Sequence, residues 1–223
     1  MKKTVLLTRS KQANAKLKKQ LAGRNFKLLE CNLIEYKAIP INKNLINNFS
    51  SLLITSYFAA GQLPPAPHND ILTFVVGHKS AEILAKKGYK IIMQERDAET
   101  LKAKIPLYLH SNMLYLSGNN ITVDMPDAIT RQVIYEVIYL KSLSSHQIKL
   151  YQQGIDYILL YSQNCAKILL QLMTENDLLK YMANSTIIAI SEKVGMVFQK
   201  QRANIIVSYE PESILQSMET KNK

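Results

Sequence analysis

The sequence lacks the short motifs that identify most common classes of enzyme. It contains no P-loop, no G-x-G-x-x-G, no H-E-x-x-H and no G-x-S-x-G. Its two cysteines, Cys31 and Cys165, are isolated, without a C-x-x-C pair or a histidine at metal-ligand spacing. These absences argue against a redox pair, a zinc site and a bound nucleotide, so we expect neither a metal nor a cofactor.

Long apolar runs are also missing. The chain starts like a signal peptide, but residues 8–11 (Thr-Arg-Ser-Lys) end the apolar run after three residues, too early for a signal-peptide core. No run approaches the ~18 apolar residues that a membrane-spanning helix requires. We therefore expect a cytoplasmic protein with reduced thiols and no membrane contact.

Acidic residues are scarce relative to basic ones. Lys and Arg number 28 against 17 Asp and Glu, which gives a net charge of +11 at pH 7. This excess favours an anionic partner: nucleic acid, an acidic membrane surface, or a small molecule with several carboxylates or phosphates. A basic surface that is merely solvated is the plainer alternative.

One strand–turn–helix–strand pattern occurs twice. Residues 74–92 contain an apolar strand, a glycine turn, a helix and a second strand, and residues 186–207 repeat this order. An earlier strand that ends in a hydroxyl residue precedes each copy, Leu52 to Ser56 in the first and Ile158 to Ser162 in the second. The first helix has one face of small and apolar residues: Ala81, Leu84, Ala85 and Gly88.

This repetition predicts an α/β fold with two doubly wound, parallel-sheet (flavodoxin-like) domains joined by a two-stranded β linker. The chain length of 223 residues and the apolar fraction of 47% suit two small cores. The predicted boundaries are residues 1–35 plus 141–223 for the first domain, 40–134 for the second, and 36–39 with 135–140 for the linker strands.

Three further elements are predicted locally. Lys27 to Ile34 has the composition of a strand. Thr174 with Asp177 is typical of a capping box that opens a helix, and Pro211 starts a last helix.

Small hydroxyl residues follow the predicted strands at equivalent positions of the two halves. Helix-start N–H groups and hydroxyls bind carboxylates, so these positions predict a polyanion site on strand ends that face one another across a cleft. Each hydroxyl taken alone is more commonly a plain N-cap. The candidate binding residues, including turn glycines and neighbouring polar side chains, are Thr55, Ser56, Gly77, Ser80, Ser117, Gly118, Asn119, Ser162, Ser191 and Lys193.

Tyr135 lies in a long β-branched and aromatic strand, Arg131 to Leu140. Its position on the predicted return linker would direct a phenol toward the cleft between the domains. The alternative is a strand aromatic that only packs, and Tyr139 nearby shows that this residue type is common here.

Several segments, in their order and spacing, resemble the uroporphyrinogen-III synthase family. The resemblance covers nearly the whole chain and rests on VLLTR at 5–9, LLITS at 52–56, VVGHKSAEIL at 75–84, YLSG at 115–118, VIYE at 133–136, LLYSQNCA at 159–166 and IIAISEKV at 187–194.

The resemblance implies an enzyme that converts hydroxymethylbilane to uroporphyrinogen III, with ring D inverted, loss of water and no cofactor. It also implies that Tyr135 assists departure of the substrate hydroxyl, and that a monomer makes transient contact with porphobilinogen deaminase. The sequence departs from the family in a short run between Gly118 and Tyr135, in Ser117 where a charged residue is common, and in the turn Ser191–Val194.

Two other classes of protein remain open at this point. A non-catalytic protein that binds anions or nucleic acid would use the same cleft, but the tyrosines are dispersed and no RRM, KH or helix-turn-helix signature occurs, so we expect no nucleic acid. A two-domain solute-binding protein would normally carry an export signal.

Overall fold

The computed structural model describes residues 2–68, 70–201 and 203–220, with the backbone alone at Lys43 and residues 216–220. The chain divides into two compact units. Unit 1 comprises Met1–Glu35 and Ile138–Lys223, and unit 2 comprises Tyr36–Val137.

Strands and helices alternate along both units. The strands are β1 (Lys3–Leu7), β2 (Phe26–Glu30), β3 (Ile34–Ala38), β4 (Ser51–Ile54), β5 (Leu72–Val76), β6 (Lys90–Glu95), β7 (Met113–Gly118), β8 (Thr130–Tyr139), β9 (Tyr157–Leu160), β10 (Thr186–Ala189) and β11 (Asn204–Val207). The α-helices are α1 (Lys11–Gln20), α2 (Lys43–Ile46), α3 (Tyr57–Gln62), α4 (His78–Lys86), α5 (Ala98–Lys104), α6 (Ser145–Gln152), α7 (Gln163–Glu175), α8 (Glu192–Gly195) and α9 (Pro211–Thr220). The 3₁₀ helices are Leu107–Asn112, Leu179–Met182 and Met196–Gln201.

Unit 1 is built on a parallel sheet with the strand order β2-β1-β9-β10-β11. Successive residues of β1 point to opposite faces, as a pleated strand requires. Leu6 packs on the face covered by Leu169 of α7, whereas Val5 packs on the face covered by Leu17 of α1. Because helices cover both faces, the central strands are apolar without interruption.

Unit 2 is built on the parallel order β6-β5-β4-β7-β8, with β3 beyond β8. Leu52 packs on the face covered by α3 and α4, and Leu53 packs on the face that carries Leu101 of α5. Both units therefore have the predicted doubly wound α/β architecture. The flavodoxin-like order 2-1-3-4-5 occurs in unit 1, whereas unit 2, counted from β4 to β8, has the order 3-2-1-4-5.

β3 and β8 pair where the chain passes from unit 1 to unit 2 and back. Ile39 N–H donates to the Ile134 carbonyl (2.9 Å), and Leu140 N–H donates to the Leu33 carbonyl (3.0 Å). Because the partner's residue number falls as the number along β3 rises, the two strands run antiparallel.

The capping box predicted at Thr174 and Asp177 is wrong. Thr174 does not open a helix: it lies in the last turn of α7, and its Oγ1 donates to the Leu170 carbonyl (2.8 Å). Asp177 has φ of 54°, in the left-handed region, and follows the helix end. The buried stripe of α7 continues through Leu172 and Met173, so Thr174 is still helical and the helix ends at Glu175, before Asp177.

The predicted strand Lys27–Ile34 is divided between β2 and β3, with residues 31–33 between them. The predicted inward face of α4 is also narrower than expected, because Ala85 is exposed and Gly88 lies beyond the helix with φ of +88°. The start of α9 at Pro211 agrees with the prediction. No helix occurs in residues 119–129, all of which the structure describes.

The buried thiol of Cys31 in unit 1 gives an expected pH dependence of stability. Burial raises the pKa of Cys31 from its ordinary 9.0 to about 11. The thiol therefore stays neutral in the folded protein at pH values where the unfolded chain ionises. Its contribution to stability is fully present below about pH 9 and is lost as pH rises toward about 11, a fall of about 3 kcal/mol in the free energy of unfolding.

Urea denaturation at about pH 8 and about pH 11 tests this expectation. Cys31→Ala should lose less stability between the two pH values than the unaltered protein. Burial also raises the pKa values of Cys165 and Tyr89, so these groups contribute to the background slope in both proteins. Equal losses in the two proteins would contradict the assignment to Cys31.

Among the helices of the described ranges, none combines the length and apolar content needed to span a bilayer.

Candidate functional site

The carboxyl ends of β4 and β7 define the crevice of unit 2. These strands are neighbours in the sheet, although β5 and β6 separate them in the chain. The α-helix that follows β4 (α3) and the α-helix that precedes β7 (α5) lie on opposite faces of the sheet. The crevice at the carboxyl ends of two such neighbouring strands is where ligands bind in open α/β sheets. Thr55 and Ser56 follow β4, Gly118 ends β7, and Gly77 follows the adjacent strand β5. The structure thus places these four predicted residues on one edge of the sheet.

Two hydrogen-bonded hydroxyl pairs lie at this crevice. Ser56 is the N-cap of α3, and its Oγ accepts from Ala59 N–H (3.4 Å) and from the Tyr135 hydroxyl (2.9 Å). Thr55 Oγ1 and the Tyr115 hydroxyl are 2.8 Å apart. Burial raises the pKa of Tyr115, and the hydrogen bond to Thr55 lowers it in part. The Tyr115 phenol is therefore neutral at physiological pH, and either hydroxyl of this pair can be the donor.

The Tyr135 ring is enclosed. Tyr135 is 5% exposed, and its ring meets those of Phe58 and Tyr36 edge-on, with centroids 5.0 and 6.0 Å away. Gly118 forms another wall of this enclosure: a Cβ at that position would lie 2.5 Å from the Tyr135 ring and 2.9 Å from its hydroxyl. The glycine is therefore required by close approach, and the phenol has one defined direction.

The short helix α3 is also fixed at its far end. Lys87 Nζ donates to the carbonyls of Ala60, Gly61 and Leu63 at 3.0, 2.7 and 2.6 Å. Because the last carbonyls of a helix have no partner within it, this ammonium group satisfies them. By fixing the C-terminal end of α3, Lys87 also helps to fix Ser56 at the N-terminal end of the same helix.

Ser117 and Asn119 make hydrogen bonds within unit 2. The buried Ser117 Oγ accepts from Arg131 Nε (2.8 Å). Asn119 Oδ1 accepts from Val137 N–H (2.8 Å), and Asn119 N–H donates to the Tyr135 carbonyl (3.1 Å). Both residues therefore hold β7 against β8, and Asn119 is also exposed. Sequence reasoning did not identify Arg131, because an exposed arginine in a strand gives no sequence signal for the hydrogen bonds that it makes.

Gly77 and Ser80 begin the next helix. Gly77 is the N-cap of α4 with φ of +85°, and its N–H donates to the Glu95 carbonyl (2.8 Å). Ser80 is 4% exposed and belongs to the first turn of α4 rather than to the preceding turn. The exposed hydroxyl predicted at this position is thus replaced by a buried one.

The corresponding crevice of unit 1 lies between the carboxyl ends of β1 and β9. Thr8 Oγ1 donates to the Leu159 carbonyl (2.5 Å), and the Arg9 guanidinium lies 4.5 Å above the Tyr161 ring. The Tyr161 hydroxyl donates to Glu212 Oε2 (3.0 Å). Burial and the Glu212 carboxylate raise the pKa of Tyr161. Sequence reasoning did not select Arg9, Tyr161 or Glu212, although the first two directly follow or lie next to strand ends.

The predicted residues of unit 1 follow two adjacent strands. Ser162 comes after β9 and caps α7, accepting from Cys165 N–H (3.1 Å). Ser191 comes after β10 and precedes α8, without a side-chain capping bond, and Lys193 is exposed in α8. Because β9 and β10 are parallel neighbours, these three side chains share one edge of the sheet.

Side chains suited to metal ligation do not cluster in the part of the chain that the structure describes: no three His, Cys, Asp or Glu residues gather there. The groups at the two crevices are hydroxyls, amides and cations, together with the Glu212 carboxylate, which accepts from the Tyr161 hydroxyl. The hydroxyls, amides and cations can bind carboxylates and donate hydrogen bonds.

The fold and these crevices define a two-unit, doubly wound α/β protein with hydroxyl and cationic groups at the switch point of each sheet. The chain belongs to the uroporphyrinogen-III synthase (HemD) family, since the family model described as "Uroporphyrinogen-III synthase HemD" matches residues 16–215. The family is a lyase-type family of haem biosynthesis. The resemblance identified in the sequence is thereby confirmed.

The chain is also similar to individual proteins and solved structures. An uncharacterised protein of Rickettsia prowazekii (strain Madrid E) is 33% identical over 92% of each chain. The uroporphyrinogen-III synthetase of Helicobacter pylori 26695 has a similar structure, with a TM-score of 0.63, 19% identity and coverage of 98% of this chain and 99% of that one. A mutant uroporphyrinogen III synthase of Thermus thermophilus has a TM-score of 0.62, 12% identity and coverage of 99% of this chain and 100% of that one. At these identities the two structures support the fold alone.

Proposed function

We propose that this protein is a uroporphyrinogen-III synthase, which cyclises hydroxymethylbilane to uroporphyrinogen III with inversion of ring D and loss of water, without a cofactor. The observation that carries the proposal is the hydrogen bond from the enclosed Tyr135 hydroxyl to Ser56 Oγ (2.9 Å), located at the unit 2 crevice of a HemD-family chain.

The proposed reaction places one main demand on the protein. Loss of water from the hydroxymethyl group gives an azafulvene. Ring D then attacks through its substituted carbon to form a spiro intermediate, and fragmentation and reclosure leave that ring inverted. The linear tetrapyrrole closes without inversion by itself, so the protein has to hold it where spiro attack is faster.

Tyr135 has the donor that the first step needs. A hydroxyl group leaves as water more readily when it accepts a hydrogen bond or a proton. In the proposed complex the substrate hydroxyl replaces Ser56 as the acceptor of the Tyr135 O–H. The surrounding rings of Phe58 and Tyr36 limit water around the phenol, which strengthens that hydrogen bond.

The carboxylate arms of the substrate would be bound at helix starts and by cations. The N-terminus of α4 has no side-chain capping bond, and Lys79 lies in its first turn. In unit 1, Ser162 at the start of α7 and the exposed Lys193 offer a hydroxyl and a cation. The net charge of +11 agrees with a substrate that carries two carboxylate arms on each ring.

A coupled assay tests the proposal. Porphobilinogen deaminase supplies hydroxymethylbilane, and the type III and type I isomers are quantified as the concentration of this protein is raised. The proposal requires the type III fraction to increase with protein concentration. Type I product alone at every concentration would reject it. DNA affinity that falls steeply with salt would then support the nucleic-acid alternative.

Tyr135→Phe should slow formation of the type III isomer about 10-fold rather than abolish it, because positioning supplies most of the acceleration. The variant removes one donor and leaves the ring in place. Tyr139→Phe is the matched control: the same strand loses a hydroxyl that accepts from Asn164 Nδ2 (3.2 Å), and the rate should not change. An unchanged rate in Tyr135→Phe would remove the proposed role of this phenol.

The monomeric state, the cytoplasmic location and the transient contact with the deaminase stay predictions. Sedimentation of the protein alone, and then with the deaminase, measures the first and the third directly. If this protein sediments at the same rate with and without the deaminase, the two proteins form no stable complex and the substrate passes between them by diffusion.

A further inference from the structure

Arg131 connects β8, the strand that carries Tyr135, to the end of β7, and we propose that it is a positioning residue for that phenol. The inference rests on the proposed function. The Arg131 guanidinium donates through Nε to Ser117 Oγ (2.8 Å), and through Nη2 to the carbonyls of Gly118 (2.7 Å) and Asn119 (3.2 Å). One side chain therefore holds three consecutive residues at the end of β7.

These three residues lie at an irregularity in the sheet. Ser117 pairs with Val133, but the next residue, Gly118, pairs with Tyr135 rather than with Ile134. This shift in register is a β-bulge, which leaves one residue of the bulged strand without a direct partner and bends the strand. The bulge brings Gly118 opposite Tyr135. The hydrogen bonds of Arg131 fix the β7 side of this bulge.

The residues held by Arg131 are the ones that contact Tyr135. Gly118 is so close that a Cβ there would lie 2.5 Å from the Tyr135 ring. Asn119 N–H donates to the Tyr135 carbonyl (3.1 Å), so the backbone of the tyrosine is held as well. A displacement of residues 118 and 119 therefore moves the phenol relative to Ser56 Oγ, its acceptor.

The connection that follows β7, which the structure describes throughout, has no helix to hold it on the sheet. Residues 119–129, all described, contain no helix, and they connect two parallel strands that are usually joined by one. Lys102 Nζ donates to the Asp124 carbonyl (2.6 Å) and so holds the middle of this connection from α5. Arg131 holds its first residue, beside the reacting group. Replacing Lys102 therefore tests the order of the connection as a whole, whereas replacing Arg131 tests the position of Gly118.

Arg131→Met tests the inference in the coupled assay. The variant should form the type III isomer about 10-fold more slowly at saturating substrate, with KM changed less than about 2-fold, because a misplaced general acid lowers kcat without weakening ground-state binding. Lys102→Met, which removes a cation from the same connection, should leave both parameters unchanged.

A double-variant cycle separates positioning from a merely structural role. If Arg131 acts through the Tyr135 hydroxyl, then Arg131→Met combined with Tyr135→Phe should be about 10-fold slower than the unaltered protein, not about 100-fold slower. Arg131→Lys keeps the charge but lacks the planar fork for Ser117 and Gly118, so it should resemble Arg131→Met. If Arg131→Met is too unstable to assay, Arg131→Lys takes its place in the cycle.

Three results would overturn the inference while leaving the proposed function intact. The first is a double variant whose loss of rate is the product of the two single losses. The second is a rise in KM alone that Arg131→Lys reverses, which indicates a ligand of a substrate carboxylate. The third is an equal loss of rate in Lys102→Met. Type I product alone from the unaltered protein would instead reject the proposed function itself. The two failures are therefore distinguishable.

Discussion

Gly118→Ala should reduce formation of the type III isomer about 100-fold, which is more than the loss expected from deleting the Tyr135 hydroxyl. The added Cβ would lie 2.5 Å from two ring carbons of Tyr135 and 2.9 Å from its oxygen. Phe58 and Tyr36 pack edge-on against the ring on its other sides, so a small rotation does not relieve the overlap. It therefore has to shift as a body, and the 2.9 Å hydrogen bond to Ser56 is lost.

Gly118→Ala also inserts a methyl group into a packed core, which costs about 1–3 kcal/mol of stability. Gly61→Ala is the matched control. Gly61 lies in α3, and a Cβ there would meet no atom within 4 Å, so the variant should gain about 0.5–1 kcal/mol and keep its activity. The assay is run below the unfolding temperature of each variant. A Gly118→Ala protein with normal product ratio would show that the Tyr135 ring is not fixed by this contact.

The fold class was predictable because both faces of each sheet are covered. Runs such as Leu52 to Ile54 are apolar at every position, which is typical of buried parallel strands. The repeated order of strand, turn and helix then indicated two such sheets. The strand order of unit 2 was not predictable in the same way, because an apolar run does not encode on which side of the sheet its strand is added.

Local signals identified helix starts better than binding groups. Ser56 and Ser162 were selected at strand ends and do cap α3 and α7. Ser80 and Ser117 were selected for the same reason and are buried instead. Whether a hydroxyl after a strand is exposed depends on neighbours that are distant in sequence, as Arg131 is for Ser117.

The contacts that position Tyr135 were beyond sequence reasoning for the same physical cause. Its acceptor, Ser56, is 79 residues away in the chain. The bulge that brings Gly118 opposite the phenol has no signature in the segment Tyr-Leu-Ser-Gly beyond the glycine itself. Resemblance to a family pointed to the tyrosine, and only the structure gives its surroundings.

Asn14 of α1 is another buried polar residue that sequence reasoning did not identify. Leu17 is buried on this helix, as the apolar face of a helix that covers a sheet requires. Asn14 is fully buried on the same helix. Its Nδ2 donates to the carbonyls of Leu7 (3.2 Å) and Arg9 (2.9 Å) and to Asn32 Oδ1 (2.8 Å), and its Oδ1 accepts from Arg9 N–H (3.1 Å). One amide thus fixes the chain where β1 leaves the sheet, at the unit 1 crevice.

Asn14→Leu should destabilise unit 1 by about 3 kcal/mol or more, because leucine has the same branching but makes none of these hydrogen bonds and is larger than asparagine. The Arg9 N–H and carbonyl and the Asn32 side chain, all part-buried, would lose their amide partner. The Leu7 carbonyl is less affected, because it also accepts from Cys31 N–H (2.9 Å). Replacing a hydrogen-bonded buried group by an apolar one leaves its former partners without a hydrogen bond, and this is the larger part of the loss in the free energy of unfolding.

Urea denaturation measures the effect, with Gln12→Leu as the control. Gln12 is exposed on the same helix, so the same leucine should change the free energy of unfolding there by no more than about 0.5 kcal/mol. Because Asn14 holds the backbone of Arg9, Asn14→Leu should also release the guanidinium from its place 4.5 Å above the Tyr161 ring. If Asn14→Leu is as stable as Gln12→Leu, the buried amide is not what fixes the end of β1, and the crevice of unit 1 has to be held by Thr8 and its bond to the Leu159 carbonyl instead.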